Sequence, residues 1–561
     1  MLIEPTLDRW VFYLSRKMLN LATILSGMPS TPQSSSLGLN TYAGPWQATQ
    51  AKHLLNRTMF GAKVADINYF KSKGVVASVD ELLNVPATLP APPLNDYNTS
   101  SFTDANVPLG KTWVNDVSLD GTTNSYRTAT YKKWLLSVLV GQERNIREKL
   151  TFFWSNHFGT ESDTIAYATM TYNHHQIVRT NCVGNFKQMV RDVTTDPGML
   201  RYLNGYLSTK TAPDENYGRE LQELFTVGKD GGAKYSEDDV KNAAKALTGW
   251  KIDATFNAVF DSTRHDTTNK TFSAFYNNTV ITGKTGANGA QETDELLTMI
   301  FQKSDVAKFI CRKLYRYFVY YYIDANVEAN IITPLANAFI ANNFEIKPVL
   351  KLLLQSEHFY DNLYIGCQIK SPLDHVVSFL RQYEIAFPDA LVNYVDAYAL
   401  YNNMVSQLNS MGQNPADPPN VAGWPAYYQA PDYNELWINA DTLPKRNKFT
   451  DLMIETGYTK TSNKIIVNTI QFAKTVCANP ADPNLLIDNL FSFLVSTDID
   501  ASLKTTLKVQ LLLTGQTSDY YWTDAWNLYI SSPTTINYNI VNNRLKGLLK
   551  YIMNLPDYQL Q

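Results

Sequence analysis

The chain has 561 residues, with 49 Lys and Arg against 52 Asp and Glu for a net charge of −3, and 44% of it is hydrophobic. That balance excludes a disordered chain, which lacks apolar residues and carries high net charge, and it argues against a protein that grips nucleic acid across a broad basic surface. At about 150 residues per domain the length admits roughly three or four domains. The 34 Tyr and 10 Trp, with loops built from Asn, Thr and Ser, suit a binding surface or an exported protein.

Four cysteines, Cys182, Cys311, Cys367 and Cys477, stand far apart and form no C-x-x-C pair, so they read as buried thiols. No stretch approaches the roughly 18 uncharged apolar residues of a membrane span. Trp10 to Leu25 comes nearest and is broken by Arg16 and Lys17. No signal peptide is visible, which leaves the compartment open.

Taken in order, residues 1–45 read as an N-terminal helical extension, 46–458 as the main helical domain and 459–561 as a C-terminal helical cap. Apolar residues recur at i, i+3, i+4 and i+7 in Trp134–Val140, Ile146–His157, Gly184–Val193, Glu220–Val227 and Asp238–Leu247. The pattern returns over Ala307–Tyr322, Ile331–Phe339, Ile346–Leu354, Leu373–Leu380 and several segments between Ile465 and Met553. Three loops interrupt it, at residues 86–124, 253–291 and 414–433. The last holds Pro415, Pro418, Pro419, Pro425 and Pro431 among aromatics and is expected to be rigid and extended. Strand-like alternation shows only near Phe256–Phe260 and Thr279–Thr282. The expectation is therefore a mainly α protein whose only regular strands form a small hairpin within 253–291.

The densest chemistry lies at Asp214–Phe225. On a helix, Asn216, Glu220 and Glu223 fall at i, i+4 and i+7, so an amide and two carboxylates share a face, an arrangement that can hold a divalent cation or do acid–base work. A Glu in a first helical turn also simply favours the dipole. Arg219, among Glu215, Glu220 and Glu223, is expected to make a bidentate carboxylate pair near the domain centre. Ser236, followed by acids, reads as a helix cap. Phosphate-loop, dinucleotide and nucleophile-elbow signatures are absent.

Pro197-Gly198-Met199-Leu200-Arg201-Tyr202-Leu203, Glu215-Asn216-Tyr217-Gly218-Arg219-Glu220-Leu221 and Leu247-Thr248-Gly249-Trp250 together resemble the bacterial family called domain of unknown function 1800. Agreeing in order are His53-Leu54-Leu55 with Phe60-Gly61, Phe153-Trp154-Ser155-Asn156-His157-Phe158, and His265-Asp266 with Lys270. Lys370-Ser371-Pro372, Asn420-Val421-Ala422-Gly423-Trp424-Pro425, Trp437 and Arg446 follow. The resemblance spans about residues 50–455, with a tail at Leu555–Gln559, and departs at Asp214 and Thr268. It names no reaction. It implies an exported or envelope location and, as a partner, a sulfatase-like protein of the family domain of unknown function 1501.

Among seven histidines, His157 at a helix end and His265 in a long loop are the functional candidates; His53, His174, His175, His358 and His375 read as structural. Two functions follow. In one, the chain is a non-catalytic exported scaffold presenting Tyr-rich loops to a protein or glycan, with Arg219, Asn216, Lys270, Trp424 and Trp437 as binding residues. In the other it is a hydrolase, with His265, Asp266 and Glu220 catalytic and a divalent metal held by His157, Glu220, Glu223 and His265. The two are divided by whether His157, Glu220 and His265 converge.

Overall fold

Helical periodicity in the sequence becomes helix in space: a computed structural model, which describes residues 35–229 and 235–561, is 57% helix and 5% strand. Trp10–Leu25 and the Gly231-Gly232 turn lie outside the described residues. Helices begin where the sequence supplies caps. Asp120 accepts the Thr123 amide, Asn185 that of Gln188 and Asp196 that of Met199. Ser236 and Asp239 form a reciprocal capping box.

Buried apolar side chains from Ala51 to Tyr558 make one continuous core, to which Leu490, Trp522 and Leu545 of the C-terminal segment contribute. Four helices position the site described below: α1 (Ala48–Thr58), α2 (Arg147–His157), α3 (Ser304–Phe318) and α4 (Pro372–Gln382). The start of α4 follows from Ser371-Pro372. Proline takes the first helical position, where no backbone donor is needed, and the Ser371 hydroxyl accepts the Asp374 amide at 3.0 Å.

Among the described residues the strands form three antiparallel two-stranded ribbons. Trp250–Ile252 pairs with Ala258–Phe260, Lys270–Thr271 with Val280–Ile281, and Tyr458–Lys460 with Asn463–Ile465. The single hairpin expected within 253–291 is thus two, the first opening at Trp250, and a third lies outside that window. Arms of two or three residues are too short to show alternation. The third ribbon also turns on Thr461-Ser462, with Thr461 at φ 53°, in place of the Asn-Gly that ordinarily marks such a turn.

Candidate functional site

Of the residues expected to share a metal or acid–base centre, His157, Glu223 and His265 have separate partners. His157 accepts the Lys313 ammonium at Nδ1 (3.0 Å), and its Nε2 lies 3.1 Å from the Phe225 carbonyl. Burial, reinforced by Lys313, holds its pKa well below the usual imidazole range, so the ring is neutral. Glu223 pairs with Lys229, and Glu220 is raised by burial and by Glu223 beside it. Asn216 is exposed. Arg219 does make a bidentate pair, at 2.8 and 2.6 Å, but with Glu237 at the surface rather than near the centre. Among the described residues no group of three His, Cys, Asp or Glu is arranged to hold a metal ion.

His265 meets Glu292 instead of Glu220. Its Nδ1 lies 2.8 Å from the Thr248 carbonyl and its Nε2 3.1 Å from Glu292 Oε1. Lys270 reaches the other Glu292 oxygen at 2.6 Å and also donates to the Asp266 carbonyl. Burial pushes the Glu292 carboxyl up, but His265 and Lys270 outweigh it and leave it below the usual range. The Thr248 hydroxyl accepts the Asp266 amide at 2.8 Å. A side chain at Gly289 would sit 2.6 Å from the His265 ring, so this knot needs glycine there. His265, Lys270 and Glu292 are all buried. The sequence motifs around Thr248, His265 and Lys270 therefore meet as an internal clamp on the 253–291 loop, not as an open site.

An open site lies elsewhere, in a narrow cleft where α1, α2, α3 and the start of α4 meet the 420–437 segment. Lys149, Phe153 and Asn156 fall at i, i+4 and i+7 of α2, and Lys313, Arg316 and Tyr317 at i, i+3 and i+4 of α3, so each helix turns one face to the cleft. Glycines dock the 420–437 segment. Gly423, at φ 93°, lies so close to Asn156 that any Cβ would overlap its Oδ1, which accepts the Trp424 amide at 2.9 Å. A Cβ on Gly159 would stand 2.8 Å from the Val421 carbonyl.

Aromatic rings line one wall in succession: Phe153 to Tyr317 (centroids 5.0 Å), Tyr317 to Tyr427 (5.6 Å) and Tyr427 to Trp437 (5.6 Å). Tyr321 and Tyr433 stack at 5.5 Å, and Tyr428 is 37% exposed. Of the two tryptophans expected to bind, Trp437 lines the cleft. Trp424 turns away to stack on Phe152 (5.4 Å) and plugs the core, because its backbone is fixed by Asn156.

Cations dominate the lining: Arg57, Lys149, Lys313 and Arg316 against Asp374. Lys149 pairs with Asp374, whose other oxygen accepts from the Ser371 hydroxyl at 2.9 Å and from Gln561 Nε2 at 3.4 Å. Arg57, 1% exposed, spends Nη2 on the Tyr364 carbonyl (3.0 Å) and Cys367 Sγ (3.3 Å), while its Nε and Nη1 are buried without a hydrogen-bond partner. Arg316 lies 5.5 Å from the Tyr433 ring, and its Nε likewise lacks a partner. None of these cations nor Asp374 stood out in the sequence. The signal that could have found them is polar: Lys149 and Lys313 recur in register with the aromatics of helices read only for their apolar stripes.

Fold and cleft together define a mainly α protein with a narrow recess walled by aromatics and floored by cations. The chain matches the model of the family described as protein of unknown function, DUF1800, over residues 53–560, and it belongs to that family. No curated protein and no solved structure matches it. Several segments that carry the family resemblance meet at the cleft: Phe153–His157, Ser371, Ala422 and Trp437.

Proposed function

We propose that the protein is a non-catalytic binding protein, exported or envelope-associated, whose helical body holds the 420–437 segment and the cleft behind it for a glycan. The observation that carries this reading is the unbroken aromatic wall from Phe153 to Trp437, with exposed Tyr428 also lining the cleft. Aromatic faces give large, stiff contact area with a polar edge, which suits the mixed surface of a sugar. The potential reactive groups support binding over chemistry. Asp374 is neutralised by Lys149, and the Ser371 hydroxyl is engaged with Asp374 as a helix cap. Export, and a sulfatase-like partner of the family domain of unknown function 1501, rest on the family resemblance alone.

Calorimetric titration with a panel of oligosaccharides tests the reading. Binding is expected, and Tyr428→Ala should weaken it about tenfold, or roughly 1.4 kcal/mol, with an unchanged melting temperature. New reducing ends released during incubation would contradict the non-catalytic assignment. Tyr428→Ala binding as tightly as wild type would move the ligand away from the cleft.

A further inference from the structure

Building on the glycan reading, we infer that the sugar is acidic: the cleft takes the carboxylate of a uronic acid residue at the end of an oligosaccharide, with Arg57 and Arg316 as its counter-charges. Two guanidiniums of the cleft lack an ion pair among the described residues. Lys149 is answered by Asp374, but neither Arg57 nor Arg316 has a carboxylate within ion-pair range among the described residues. A guanidinium stays protonated under all ordinary conditions, and a buried charge without a counter-charge is strongly unfavourable. Arg57 is almost wholly buried and two of its nitrogens have no acceptor. An anion entering the cleft relieves both.

Shape narrows the class. The interior has room for only a few water-sized groups, so it admits an acid group and keeps the sugar ring outside. Beside it lie exposed Tyr428 and the stacked pair of Tyr321 and Tyr433. The narrow interior favours a flat carboxylate over the bulkier tetrahedral phosphate.

The test titrates the full chain with oligogalacturonate and with the same oligomer fully methyl-esterified, which keeps the rings and removes the charge. The acid is expected to bind at least tenfold more tightly than the ester, with affinity falling as salt rises. Arg316→Gln should abolish that preference by bringing the acid's affinity down to that of the ester. Arg57→Gln should do the same, but it also removes a brace on the Tyr364 carbonyl, so the half-buried Arg316 gives the safer variant. Equal binding of acid and ester would overturn the carboxylate inference and leave the glycan reading standing. Binding of neither would overturn both. An acid preference that survives both arginine variants would place the counter-charge elsewhere and overturn the assignment to this cleft.

Discussion

Arg219 and Glu292 carry similar chemistry and should differ severalfold in worth because of where they sit. The Arg219–Glu237 pair is bidentate, but the two side chains are 35% and 68% exposed, so solvent screens it. Arg219→Ala is therefore expected to cost less than about 1 kcal/mol in urea unfolding; a loss near 3 kcal/mol would mean the pair is buried in solution. Glu292 is fully buried between His265 and Lys270, so Glu292→Gln strands the Lys270 ammonium inside the protein and should cost about 3–5 kcal/mol. Lys370 adds a pH dependence. Burial, with Arg446 and Lys52 nearby, lowers its ammonium to about 7. Above pH 7 the folded protein gives up this proton while the unfolded chain keeps it to about 10.4. The unfolded state then binds more protons, and stability rises with pH. Between pH 7 and 9 wild type should gain on the order of 1 kcal/mol per pH unit relative to Lys370→Met, read from urea midpoints at each pH. Parallel profiles for the two proteins would show that the Lys370 proton is not linked to folding.

At the scale of elements, the 420–437 segment is held to α2 by contacts that only glycine permits. Gly423→Ala combines an unfavourable φ with overlap on Asn156 Oδ1 and should cost about 1–3 kcal/mol. Hydrogen exchange in residues 420–437 should quicken while the core of α2 keeps its protection; unchanged exchange in the segment would show that the glycine dock is dispensable. Long helices were legible in the sequence because three or more turns repeat the same apolar signal, as in α3. Short ribbons were not, since two or three residues carry no period and Thr461-Ser462 has no turn signature. The clamp at His265 was half legible. The loop histidine stood out, but its partner Glu292 sits in the first turn of a helix, where an acid needs no explanation beyond the dipole.

Across the whole molecule, the cleft draws Arg57, Lys149, Arg316 and Asp374 from four helices far apart in sequence, so no local spacing could announce it. What the sequence did carry was the family resemblance, and its segments at Phe153–His157, Ser371 and Trp437 come together there. His157 and His265 each looked unemployed along the chain, and each finds its partner only through tertiary packing. The most direct measurement of the central claim, that this cleft is the binding site, is hydrogen–deuterium exchange of the full chain with and without saturating oligogalacturonate. Protection is expected in residues 420–437 and along the face of α3 that carries Lys313, Arg316 and Tyr317. Protection confined to other surfaces, or none at all, would contradict it.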